Sequence, residues 1–190
     1  LALLPPLVAA VRAQSLVAGH QVKDFDEVAE SAWRRSIAPK IFPEMMERIN
    51  WHKDQGHQVW LLTASPQSLA SVMARDLGLA GAIGTALEVK DGAYTGEIEG
   101  ELLHGPLKEA AARDHARAHD ADLATCYAYS DSAADIPLLE AVGHPVAVNP
   151  DHSLLAHATR NSWPVVWPES TNRHQIHRSK KAEKNAGHTG

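Results

Sequence analysis

One cysteine, Cys126, stands in 190 residues, so an internal disulfide is excluded and nothing requires an oxidising compartment. It lies in an apolar run, Ala124 to Tyr129, where a thiol is expected to be buried and inert rather than nucleophilic. There is no excess of basic residues. The net charge of −5 gives no electrostatic reason to expect nucleic acid or an anionic membrane as partner. Long hydrophobic runs are missing too. The apolar stretch from Leu1 to Ala10 is too short to span a bilayer, contains Pro5 and Pro6, and lacks a basic leader. A cytoplasmic setting follows as the expectation, and no internal repeat is present. The first residue is leucine, which reads as a segment cut from a longer chain. What remains is ordinary: 44% apolar and 22% charged residues suit a soluble globular chain. Its length accommodates one domain, with or without a small insertion, and a real core.

In chain order, the first quarter reads as all helical. Pro6 to Ala18 carries Leu7, Val8, Val11, Leu16 and Val17 at helical spacing, with Gly19 as a stop. Asp24 and Asp26 are expected to cap a second helix with Val28, Ala29, Ala32 and Trp33 on one side. A third helix carries Met45, Met46 and Ile49 to about Gln55. At Gly56 the pattern changes. His57 to Leu62 reads as a buried parallel strand ending in Thr63-Ala64-Ser65-Pro66, before a helix from about Gln67 to Leu77. Ile83 to Val89 and Ala93 to Ile98 flank Lys90-Asp91-Gly92, a hairpin signal. A helix starts at His104-Gly105-Pro106. A strand from Ala124 to Tyr129 breaks in an acidic turn and restarts as a helix running to about Val142-Gly143. Pro145 to Val148, a helix from about Asp151 to Arg160, and a strand candidate from Trp163 to Trp167 complete the alternation. Strands alternating with short helices predict βαβ units and a mostly parallel sheet. After Pro168 the chain turns polar and reads as disordered. His174 and His177 in that tail read as solvated.

Ligands of open α/β sheets sit outside the carboxyl ends of the strands. Asp131 and Asp135, four residues apart in the acidic turn, fall at such a place and can converge on one hard cation such as Mg²⁺. The plainer alternative is that Ser130 or Asp131 caps the following helix. Thr63 could likewise be a cap, and Lys108 a solvated first-turn lysine. Taken together, a hydroxyl, an amine and two acids at successive element ends are what phosphoryl transfer needs.

These residues carry a resemblance to the haloacid dehalogenase superfamily, in its phosphoserine-phosphatase-like branch. The matching segments are Val59 to Pro66, Val89 to Ile98, Pro106-Leu-Lys108, Tyr129 to Leu139 and Pro145 to Pro150. The fold implied is a Rossmann-like α/β core with a parallel sheet and a β-hairpin, plus a helical cap. The implied division is 1–45 for a partial cap, 46–169 for a core lacking its first strand, and 170–190 for the tail. The implied activity is Mg²⁺-dependent hydrolysis of a small phosphorylated substrate through an aspartyl-phosphate. By the family's pattern Thr63, with Ala64 and Ser65, would hold phosphoryl oxygens. Lys108 would neutralise the phosphoryl group, and Asp131 and Asp135 would serve the metal. The family's Asp-x-Asp nucleophile loop has no counterpart after a strand here. Asp24-Phe-Asp26 has the letters but lies between helices, so no nucleophile is assigned and the chain alone is expected to be inactive. Ala134 stands where phosphoserine phosphatases usually carry Asn, which weakens phosphoserine as the substrate. A non-catalytic module that binds phosphate or a partner is the rival reading. A phosphorelay receiver is set aside, because its acids would precede Thr63 and Lys108.

Overall fold

The computed structural model describes residues 17–168. Most of the helix expected over Pro6 to Ala18, and the tail with His174 and His177, lie outside the described residues. Helix α1 spans Val22–Ala32 and α2 spans Pro43–Asp54, joined by a π-helical turn, Trp33–Ile37, and a 3₁₀ turn, Ala38–Lys40. Asp24 and Asp26 do not cap α1. Gln21 holds the cap position without a side-chain bond, and Asp24 lies in the first turn, where an acid meets the positive end of the helix. The inward stripe is also shifted from the expected one. Phe25, Ala29 and Trp33, each four residues apart, are buried, and Val28 is left exposed.

Strand β1 (Trp60–Pro66) pairs in parallel with β2 (Gly81–Thr85), and α3 (Gln67–Asp76) makes the crossover. The expected strand from Ile83 to Val89 is in fact two. At Thr85 the chain leaves β1, and β3 (Leu87–Lys90) pairs antiparallel with β4 (Ala93–Ile98). The break has a cause. Thr85 Oγ1 donates to the Ala64 carbonyl at 2.9 Å and accepts from Leu103 N–H at 3.1 Å, tying this point to β1 and to a later loop. The hairpin turn forms as expected, with Asp91 and Gly92 both at positive φ (52° and 78°), the conformation a tight two-residue turn requires. The chain before α1 lies along this hairpin: Gly19 N–H donates to Tyr94 O, Tyr94 N–H to His20 O, and Val22 N–H to Gly92 O.

Helix α4 spans Pro106–Ala118. A parallel sheet of β5 (Tyr127–Ser130), β6 (His144–Val148) and β7 (Val165–Val166) follows, with α5 (Ile136–Glu140) and α6 (His152–Arg160) between its strands. The strand expected from Ala124 begins only at Tyr127. Asp122 accepts from Ala124 N–H and winds Leu123–Thr125 into a 3₁₀ turn, a local bond that outcompetes the ladder. Cys126 therefore sits just outside the strand, half-buried rather than buried, and its burial raises the thiol pKa. Helix α5 stops at Glu140, short of the expected Val142-Gly143.

The fold is α/β, as expected. Its strands form separate ladders, β1–β2 and β5–β6–β7, and no ladder joins β1 to β5 among the described residues. Side chains join what hydrogen bonds do not. Phe25, Trp33 and Met45 from the helical front, Leu61 and Met73 from the first βαβ unit, and Val146 and Val148 from β6 form one buried cluster. Residue 45 lies inside α2, so the sequence-level division between cap and core falls within a helix of this shared cluster.

Candidate active site

The turn after β5 is built from short local bonds. Ser130, the last strand residue, is buried, and its Oγ accepts from Ser132 N–H at 3.2 Å while donating to Asp135 Oδ2 at 2.7 Å. Ser132, not Ser130 or Asp131, caps the 3₁₀ turn Ala133–Asp135 through Ala134 N–H. Asp135 thereby faces back toward the strand rather than out to solvent. Lys108, in the first turn of α4, completes the group with Nζ 2.8 Å from Asp135 Oδ2. Both side chains are largely withdrawn from water, at 14% and 8% exposure, so this pair is of the interior kind. Burying two charges is tolerable only with added hydrogen bonds, and Ser130 supplies one.

Gly105 sets the approach of α4. It sits at φ 57°, where a side chain would be strained, and a Cβ there would lie 3.6 Å from the Ala134 carbonyl. The start of α4 is thus seated on the turn holding Asp135. Asp131 precedes that turn. Burial, the main cause, raises its carboxyl pKa; the nearby Asp135 charge adds to this and Lys108 opposes it.

The turn at the end of β1 differs in construction. Between the pairs Leu62↔Ile83 and Pro66↔Thr85 three residues of β1 face one of β2, so Thr63, Ala64 and Ser65 bulge out of the ladder. Thr63 Oγ1 accepts from Ser65 N–H at 3.1 Å and bonds Ser65 Oγ at 3.2 Å. Gly84 is the residue opposite. A Cβ there would come within 2.8 Å of Ser65 O, so only glycine lets β2 approach. Gln67 locks the contact, accepting from Gly84 N–H at 2.7 Å and donating to Ala82 O at 3.1 Å.

Of the sequence-predicted residues, Lys108 and Asp135 are in direct contact and Asp131 is beside them. Thr63, Ala64 and Ser65 form their own turn at the carboxyl end of β1. Asp24 and Asp26 are exposed on α1. Two participants were not singled out for the site. By sequence, Ser130 reads only as a possible cap, and Asp151 only as a helix start. Asp151 Oδ1 caps α6 at Leu154 N–H and Oδ2 accepts from Ala133 N–H, both at 2.8 Å, while its own N–H donates to Asp131 O. The capping oxygen is legible from the position of an Asp before a helix, whereas the second oxygen's reach across 18 residues is not.

The donor set fits a hard cation such as Mg²⁺. Two carboxylates against one ammonium leave one net negative charge. Asp135 Oδ1 is buried and has no hydrogen-bond partner among the described residues, an unsatisfied acceptor a cation would satisfy. Among the described residues no group of three or more His, Cys, Asp or Glu gathers for a metal, so these acids could supply only part of a shell.

A family model of haloacid dehalogenase-like hydrolases matches residues 4–140. The chain is 42% identical over 154 residues to the phosphoserine phosphatase SerB1 of Mycobacterium tuberculosis, covering 81% of this chain and 50% of that protein. It is 32% identical over 134 residues to a histidinol-phosphatase of Neisseria meningitidis serogroup C, covering 68% and 60%. The chain spans about half the length of these and other curated relatives it matches. Among solved structures, a protein of unknown function from Bordetella pertussis Tohama I superposes with a TM-score of 0.76 at 31% identity, over 86% of this chain and 75% of that one. A phosphoserine phosphatase in apo form gives 0.62 at 21% identity, over 84% and 74%, a likeness of fold.

Proposed function

The chain belongs to the haloacid dehalogenase-like hydrolase family, and from that premise we propose that it forms the charge-stabilising part of a phosphomonoester hydrolase. The observation that carries this reading is the buried Lys108–Asp135–Ser130 group beside Asp131 at the carboxyl end of β5. The substrate class is a small phosphorylated metabolite. Relatives named for phosphoserine and for histidinol phosphate both match, and Ala134 argues against assigning phosphoserine in particular.

Each residue has a chemical task. Phosphoryl transfer involves little covalent work by the protein beyond the nucleophile, so positioning and charge stabilisation dominate. Lys108, held by Asp135, keeps an ammonium in a fixed direction where negative charge on a phosphoryl group would otherwise be repelled. Asp135 orients that ammonium, and Ser130 orients Asp135. Thr63 and Ser65 offer hydroxyl groups and the bulged backbone offers N–H groups to phosphoryl oxygens. Asp131, with Asp135 Oδ1, would hold Mg²⁺, which when bound neutralises phosphate charge. The attacking carboxylate of an aspartyl-phosphate route is assigned to no residue of this chain. Asp24 and Asp26, exposed on a helix, are poorly placed for it. The helical residues before about 46 are read as a cap, and the residues after as the core.

The test is an assay of the longest natural form of the protein with Mg²⁺ and a panel of small phosphomonoesters. We expect Mg²⁺-dependent phosphate release that is lost in Asp131→Asn. The 190-residue chain alone should release none. Binding of phosphate without turnover in the long form would replace the hydrolase reading by the non-catalytic one.

A further inference from the structure

A second cluster lies away from this site, where the last turn of α4 meets the start of β1. His115 is in that turn and His119 follows the helix end, with ring centroids 4.1 Å apart. Trp60, the first residue of β1, packs its ring against both, at 4.0 Å from His115 and 5.8 Å from His119. His119 is exposed and His115 half-buried, so a small solute can reach the pair.

Three features bear on what the pair could take. The His119 Nδ1–H donates to the His115 carbonyl at 2.9 Å. That bond fixes the tautomer and leaves Nε2 as the nitrogen with the lone pair, the arrangement a ligating imidazole has when a backbone carbonyl orients it. Residues four apart at a helix end lie on one face, so two imidazoles can reach one ion. The negative end of the 13-residue helix α4 favours a cation there. Arg117 in the same turn is paired with Asp114.

We propose that His115 and His119 form a site for one borderline divalent transition-metal ion, of the Ni²⁺, Cu²⁺ or Zn²⁺ class, held by two imidazoles with water in the remaining positions. Imidazole suits these ions, and carboxylate-seeking Mg²⁺ is excluded by the donor type. No third protein donor gathers at this place among the described residues, so the site is an open one. Because the two donors come together only when the chain is folded at the α4 terminus, metal binding stabilises the folded form. This proposal is independent of the hydrolase reading.

The experiment uses Ni²⁺ and the intact chain. His174→Ala and His177→Ala are introduced first, to remove the competing pair in the tail. Calorimetry should then give one strong Ni²⁺ site per chain. Losing an outer-shell partner of a metal ligand already costs about 10–100-fold in affinity, so removing a ligand in His115→Ala or His119→Ala should cost at least as much. His119→Gln serves as a second variant, and circular dichroism checks that each remains folded. Ni²⁺ should also quench the tryptophan emission that Trp60→Phe removes, without Trp60→Phe changing affinity. Unchanged affinity in the histidine variants, or the same quenching after Trp60→Phe, would overturn the proposal.

Discussion

The two ends of β5 are made of different chemistry. At its carboxyl end, Ser130, Asp135 and Lys108 bring opposite charges into contact away from water. Starting at its amino end, Tyr127 and then Tyr129, two residues on and on the same face, meet imidazoles. Tyr127 stacks on His144 with centroids 4.3 Å apart, and Tyr129 OH lies 2.8 Å from His52 Nε2. His52 Nδ1 lies in turn 3.0 Å from His57 Nδ1. One end thus depends on charge being present, and the other on one particular imidazole remaining neutral. A four-residue strand can join such unlike environments because each end is stabilised by its own neighbours. The carboxyl end relies on α4 and the 3₁₀ turn, and the amino end on α2. The two ends should therefore fail under different perturbations.

The largest expected effect is at the charged end. Lys108→Ala leaves the Asp135 carboxylate buried without its cation, and breaking one partner of such a pair costs about 3–5 kcal/mol. On the proposed hydrolase reading, the rate of the longest natural form should also fall on the order of 10²-fold or more, as for loss of a preorganised charge donor. Denaturant melting and phosphate release check the two parts. A loss within 0.5 kcal/mol, the usual range for a surface change, would mean that the pair is solvated in solution. Lys108→Arg should rescue stability better than rate, since a planar fork supplies charge but not a compact ammonium.

Asp131→Asn comes next and should act without unfolding. It removes a charge whose burial is already unfavourable, so stability should hold or rise slightly while Mg²⁺ affinity drops. Calorimetry with Mg²⁺ reads the second quantity. Undiminished Mg²⁺ binding would remove Asp131 from the proposed metal site.

A smaller loss is expected at Asp151, which fastens the Asp131–Asp135 turn to α6. Asp151→Ala removes both a helix cap, typically about 1 kcal/mol, and the bond to Ala133 N–H. Asp151→Ser keeps a capping oxygen and loses the bridge. The difference between the two variants in thermal melts isolates the cap, and the part that serine fails to rescue reports the bridge.

These positions show where the sequence was readable and where it was not. The α/β alternation, the Asp91-Gly92 hairpin and the residue types at the strand ends follow from local rules that act within a few residues. Lys108, Asp131 and Asp135 stand out only as a set: each alone reads as a cap or a solvated charge, but with Thr63 at successive element ends they match what phosphoryl transfer needs. What escaped was decided by competition between local bonds or by distance. Asp122 shortened β5 by claiming Ala124 N–H, and Thr85 split one expected strand in two by bonding to β1. Asp24 and Asp26 had capping chemistry, but the chain's pairing with the hairpin started the helix earlier, at Val22. His52 carries no signal in the sequence, since nothing in its neighbours reveals a tyrosine partner 77 residues away.

That histidine supplies the smallest effect, a loss of stability confined to pH below the ordinary histidine value of 6.5. His52 is buried, and burial together with the nearby His57 and Arg48 charges lowers its pKa below the ordinary histidine value of 6.5. Its Nδ1 and Nε2 both engage partners, so a neutral ring with one proton can donate to one neighbour and accept from the other. A second proton removes the accepting lone pair and places charge beside Arg48. The unfolded chain takes up that proton more readily than the folded one. The stabilising contribution is therefore fully present above pH 6.5 and is lost as pH falls from there through the lowered folded value. His52→Gln retains a donor and an acceptor but does not titrate. Urea unfolding between pH 7.5 and pH 5 should show the wild-type chain losing stability faster than this variant, with the gap opening below pH 6.5. Parallel curves over that range would mean that His52 is neutral in both states or charged in both.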